Sequence, residues 1–156
     1  MGWIGSGGLL CVGAVLVGAM WTDWRCRRIP HWMWATLLGL WAVSACLEPQ
    51  VLGGTPTAGL ICGAGGLALG FALYAGGWLG GGDGKLLAVT GLWLSPHDFG
   101  LALLGASALL LLLIVPTFAG RGPSGVDFRN RGIPFACALA PPAVVILGAR
   151  FAELVG

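Results

Sequence analysis

Residues 57–78 read Thr-Ala-Gly-Leu-Ile-Cys-Gly-Ala-Gly-Gly-Leu-Ala-Leu-Gly-Phe-Ala-Leu-Tyr-Ala-Gly-Gly-Trp, a run of 22 positions without a charged side chain. A helix needs about 20 largely apolar residues to cross the hydrocarbon layer of a bilayer, so this stretch has the length and chemistry of a transmembrane span. Segments of the same character lie on both sides of it, at residues 2–20 and 31–47 before it and 86–94, 101–119 and 133–151 after it. The segment at 86–94 has about half the required length, and Pro96 follows close behind. Composition agrees: 57% of the 156 residues are hydrophobic, 9% are charged and the mean hydropathy is +0.90, outside the range of soluble globular domains. The expectation is an all-α, polytopic membrane protein of about six transmembrane helices, a single membrane-embedded domain over residues 1–156 in contact with membrane lipid.

The charges orient that bundle. Arg25, Arg27 and Arg28 fall between the first and second spans, Lys85 between the third and fourth, and Arg121, Arg129 and Arg131 between the fifth and sixth, so seven of the eight cations share one side. By the positive-inside rule those three loops face the cytoplasm. Both termini, Glu48 and the His97-Asp98 pair are then on the outside, and only Arg150 dissents. Residues 2–20 lack the basic leading segment of a signal peptide and read as a retained first span. A net charge of +2 confined to short loops speaks for membrane orientation and against nucleic acid. The cysteines Cys11, Cys26, Cys46, Cys62 and Cys137 are scattered without a CxxC pair, so they suggest neither a metal site nor a disulfide framework. Most of the 29 glycines read as close-packing positions between helices, and Trp3, Trp21, Trp24, Trp32, Trp78 and Trp93 as rings near span ends.

Six residues are acidic. Glu48, Asp98 and Glu153 fall in outer loops or at the end of the chain, and Asp127 lies in the basic loop near Arg129, where solvation accounts for each. Asp23 and Asp83 differ. Each stands where an apolar span meets the predicted cytoplasmic face, and carboxylates at membrane depth are costly unless they serve a function or a pairing. If the fourth span is helical and ends near Trp93, Asp83 lies roughly 16 Å inward from that end at about 1.5 Å per residue. Two carboxylates within hydrogen-bond reach share one proton. The ionised partner can then take a proton from an attacking water while the protonated one donates to the developing oxyanion. That chemistry calls for no metal and no cofactor. The glycines around Asp83 would let a substrate backbone approach closely. On these grounds alone, two relay groups of a proton-coupled transporter are an equally good reading.

The stretch Asp23-Trp24-Arg25-Cys26-Arg27-Arg28-Ile29-Pro30-His31 resembles the first aspartate motif of type IV prepilin peptidases, an Asp at a helix end before a basic segment and Ile-Pro-Asn. Gly80-Gly81-Gly82-Asp83-Gly84-Lys85 is similar to their second motif, GxGD followed by a lysine, and Ile133-Pro134-Phe135-Ala136 to their late Pro-aromatic-Gly segment. The resemblance implies an intramembrane-type aspartyl endopeptidase of the bacterial inner membrane. Its substrates would be prepilins or pseudopilins, whose basic leader it removes at the cytoplasmic face, with Asp23 and Asp83 as the catalytic dyad. Gly80, Gly82, Gly84, Lys85, Pro30, His31 and Pro134 match the supporting and substrate-binding positions. His31 departs from the usual Asn but keeps hydrogen-bonding capacity, and Ala136 departs from Gly by one methyl group. The larger bifunctional members carry a cytoplasmic segment with paired cysteines and methylate the new N-terminus. This chain looks like the compact, peptidase-only form of tight-adherence (Flp) pili, without methyltransferase activity. A non-catalytic subunit of a pilus or secretion assembly is the remaining alternative, besides transport. Oligomeric state has no signature in the sequence.

Overall fold

The computed structural model describes residues 3–26, 29–118 and 135–155. Among them there are six α-helices: α1 (Trp3–Cys26), α2 (His31–Leu47), α3 (Pro56–Ala75), α4 (Gly81–Trp93), α5 (Pro96–Phe118) and α6 (Phe135–Val155), with one 3-10 turn at Pro49–Val51. The all-α expectation holds, with one helix at each expected span. The segments Gly7–Cys26, Pro56–Ala75 and Phe135–Val155 are long and apolar enough to cross a membrane. Local chemistry sets several helix ends. Pro56 occupies the first turn of α3, behind Thr55, whose hydroxyl accepts the Ala58 N–H at 3.2 Å. Ser95 caps α5 in the same way, accepting the Asp98 N–H at 3.1 Å, ahead of Pro96, whose fixed φ suits a first helical position.

The helices are largely apolar, and many large apolar side chains lie on the surface of the bundle. Ile61 and Phe71 on α3, Leu112 on α5 and Val145 on α6 are 72%, 68%, 68% and 70% exposed. In water such faces would demand a partner; in a bilayer they meet lipid tails. The chain is therefore a polytopic membrane protein.

The short α4 is the axis of the bundle. Its 13 residues span about 20 Å, well under the ~30 Å of the hydrocarbon layer. That length suffices because α4 faces protein rather than lipid: Leu86, Leu87, Val89, Thr90, Leu92 and Trp93 are all buried, and α2, α3 and α6 pack around it. The α3–α4 interface is the tightest. Gly59, Gly63, Gly66 and Gly70 make one stripe along α3, spaced four, three and four residues apart, so they lie on a single helical face. A Cβ on Gly59 would stand 2.5 Å from the Leu92 carbonyl oxygen, and one on Gly70 would stand 2.5 Å from Gly84 Cα. The two backbones thus run antiparallel in direct contact, from Gly59 beside Leu92 at one end to Gly70 beside Gly84 at the other. A turn at Gly77, whose φ of 74° favours glycine, connects them.

At the end of the bundle remote from Asp83, one cation ties three helices. Arg150 of α6 donates from Nη1 to the Trp93 carbonyl at 2.8 Å and from Nη2 to Asp98 Oδ2 at 2.7 Å. Asp98 and Arg150 are thus a largely buried pair, with side chains 26% and 12% exposed. This corrects the expectation that Asp98 is a solvated loop charge, and it explains why Arg150 sits on the side poor in cations: its charge is neutralised there. Trp93 is a core residue, not an interfacial one. It is 1% exposed, and its indole N–H donates to the Leu37 carbonyl of α2 at 3.1 Å. Arg150→Gln is expected to destabilise the protein by about 1–3 kcal/mol, the cost of losing charge-assisted bonds at a partly buried site. Adding Asp98→Asn should cost less than the sum of the two single losses. Additive losses in detergent-solubilised thermal melts would show that the pair does not act as a unit.

Candidate active site

Asp23 lies in the last turn of α1 and is 5% exposed. A helix C-terminus is the wrong end for an anion, since the macrodipole is negative there. The compensation comes from another helix: Asp23 Oδ2 accepts the backbone N–H of Ala136, the second residue of α6, at 3.0 Å. The first N–H groups of a helix have no intrahelical acceptor, and inside a bilayer each must find a partner in the protein. Asp23 therefore holds the start of α6 against the end of α1. Cys137 Sγ, donating to the Met20 carbonyl at 3.4 Å, strengthens the same seam.

Asp83 is the third residue of α4, half-buried. Its Oδ2 accepts the Gly80 N–H at 3.2 Å, and its own N–H donates to the Gly80 carbonyl at 3.1 Å. This is the acidic half of a capping box, and a carboxylate in a first turn is favoured by the dipole. Both aspartates thus lie at one end of the bundle, where α1 and α3 end and α2, α4 and α6 begin. The α4 start adjoins the α1–α2 junction directly: a Cβ on Gly82 would come 3.6 Å from Ile29 Cβ. Pro30 precedes α2, its carbonyl accepting the Met33 N–H at 3.1 Å.

The other sequence candidates separate into groups. Gly84 is buried against Gly70, so its missing side chain serves the α3–α4 contact. Gly80 and Gly82 remain beside the carboxylate and the α1–α2 junction. Lys85 and His31 are joined by a residue that the motifs did not single out. The Lys85 ammonium lies 5.3 Å from the centre of the Trp34 ring, within cation–π range, and the Trp34 indole N–H donates to His31 Nδ1 at 3.3 Å. His31 and Trp34 are one turn apart on α2, the spacing at which helical side chains meet, so that signal was available in the sequence. The amide of Ala136 was not, because backbone donors have no residue signature. Pro134 lies outside the described residues, as do Arg27, Arg28, Asp127 and the loop cations Arg121, Arg129 and Arg131.

Residues 10–115 match the model of the Type IV leader peptidase family, a stretch that contains both aspartates and stops short of α6. No curated protein and no solved structure matches the chain.

Proposed function

Because the chain belongs to the Type IV leader peptidase family, we propose that it is an aspartic endopeptidase that removes the basic leader of Flp-like prepilins or pseudopilins at the cytoplasmic face, with Asp23 and Asp83 as its dyad. The observation that carries this reading is the convergence of the two carboxylates at one end of the bundle, on α1 and α4, each stationed by a backbone N–H. The ionised member of the pair takes a proton from water as it attacks the scissile carbonyl. The other donates a proton to the carbonyl oxygen, and the proton then passes to the leaving amine as the tetrahedral adduct collapses. The charge distribution supports the orientation. Arg25 and Lys85 stand at the aspartate end, whereas Arg150 at the other end is neutralised by Asp98; this is the bias of a cytoplasmic face, here of the bacterial inner membrane.

A prepilin presents a basic leader followed by an apolar helix, which places its scissile bond at the interface where these aspartates lie. The test is co-expression with candidate Flp-type prepilins, following the size shift on leader removal. Cleavage by the wild type supports the reading. Intact prepilin in every pairing, with the protein shown to be inserted, would favour a non-catalytic assembly subunit.

Lys85, exposed and resting on Trp34, is expected to adjust the site rather than perform the chemistry. Lys85→Ala should slow cleavage by no more than about tenfold, since an exposed charge contributes about 1 kcal/mol. A loss matching that of the aspartate variants would move Lys85 into the reaction itself. Unchanged cleavage would leave it an anchor at the lipid headgroups.

A further inference from the structure

The helix α3 packs on α4 and α5 packs on α6, while α3 and α5 hardly touch each other. Between them lies an apolar groove of about 260 Å³, bordered by Leu73 and Trp78 on one side, Leu103 and Ser107 on the other, and floored by Leu87 and Phe135. It opens outward, for Trp78 at its rim is 76% exposed. The polar group at its wall is already satisfied, the Ser107 hydroxyl donating to the Leu103 carbonyl at 2.8 Å, so an occupant needs no hydrogen bonds of its own.

The floor joins this groove to the aspartates. Leu87 is one turn beyond Asp83 on the same face of α4, and Phe135 immediately precedes Ala136, whose N–H holds Asp23. Neither aspartate lines the groove itself, but its floor residues lead toward both of them. The groove is apolar and open along its side, a form that suits a row of side chains from one face of a helix. We infer that the groove between α3 and α5 receives the apolar helix of the substrate, entering sideways from the bilayer and docking helix-in-groove so that its N-terminal end, where the leader begins, lies at the dyad. This inference rests on the leader-peptidase reading and adds the route and the docking face to it.

The test places a photo-crosslinking residue at Leu73 or at Leu103 of the full chain in membranes, in an Asp83→Asn background that leaves bound prepilin intact. Val145, on the outward face of α6, serves as the control position. Prepilin adducts from positions 73 and 103 and none from 145 are expected. In the cleaving enzyme, Ser107→Phe should raise KM by about tenfold, equivalent to about 1.4 kcal/mol of binding, with kcat nearly unchanged. Adducts to lipid alone at 73 and 103, or equal prepilin labelling at 145, would overturn the docking site if the wild type still cleaves. If the wild type leaves every prepilin uncut, the leader-peptidase reading fails first and the groove assignment falls with it.

Discussion

Asn in place of either Asp23 or Asp83 is expected to reduce leader cleavage by about 10²–10⁴-fold, the share that one positioned acid–base group supplies, which leaves no visible product in a size-shift assay. The choice of Asn matters because both carboxylates also do structural work. Asp23 Oδ2 satisfies the Ala136 N–H, and Asp83 Oδ2 satisfies the Gly80 N–H. An amide oxygen accepts those same bonds, so Asp23→Asn and Asp83→Asn should insert and fold as the parent does. If capping were the whole purpose of the two aspartates, both variants would still cleave. Asp→Glu separates the readings further: one added methylene moves the carboxyl by more than 1 Å, a displacement that costs about 10²-fold in a positioned reaction. The double variant should be little worse than either single one, as for groups that act as a unit. Efficient cleavage by either Asn variant would remove the dyad.

Competing functions fare differently against the bundle. A proton-coupled transporter needs polar groups along a path from one face to the other. Here the buried polar or charged side chains among the described residues are Asp23, Ser44 and Thr90, and the helices α3 and α5 that flank the groove carry no charged side chain over residues 56–75 and 99–118. The ionic cluster at the far end is a closed clamp, Arg150 being held by Asp98 and the Trp93 carbonyl. Family membership and this asymmetry both favour hydrolysis at one face over transport across the membrane. A subunit without turnover would share the fold, and the parent protein distinguishes it, since such a subunit predicts no cleavage by the parent.

Much of this architecture was legible in the residues because a bilayer leaves few choices. Without water to satisfy backbone groups, long apolar segments become helices, and the six segments did so. What the sequence did not reveal is what long-range packing decides. The segment at 86–94 looked too short for a span, and it is short because α4 is enclosed by protein, which no local pattern reports. The helix begins earlier than its apolar run, at Gly81, because Asp83 turns back to cap it. Asp98 and Arg150 are 52 residues apart, so their pairing left no periodic trace and Asp98 read as a loop charge. Trp93 likewise read as an interfacial ring because it sits at a span end, yet its indole is committed to the Leu37 carbonyl inside the bundle.

The glycine stripe carries the second large expected effect. Gly70→Ala adds a single methyl group, whose carbon would lie 2.5 Å from Gly84 Cα, where unstrained carbons sit about 3.5–4.0 Å apart. The neighbour is backbone and cannot swing aside as a side chain would, so α3 and α4 must part by about 1 Å. Overpacking of this kind costs about 1–3 kcal/mol, or a fall in melting temperature of about 2–4 °C for each kcal/mol in a protein of this size. Gly65→Ala is the internal control. It lies on the same helix, with nothing within 4 Å of its added Cβ, and it should be neutral or slightly stabilising, because alanine favours helix over glycine by up to about 1 kcal/mol. Equal melting temperatures for the two variants would show that the stripe is not a contact face. The effect on function should exceed the effect on stability. Gly84 follows Asp83 directly, so a displacement of about 1 Å at Gly70 reaches the carboxylate within one residue, and misplacement of that size costs about 10²-fold in rate. Gly59→Ala presses instead on the Leu92 carbonyl, at the far end of α4. It should destabilise the fold comparably while leaving more of the cleavage rate, and that difference separates the transmitted displacement from general loosening of the bundle.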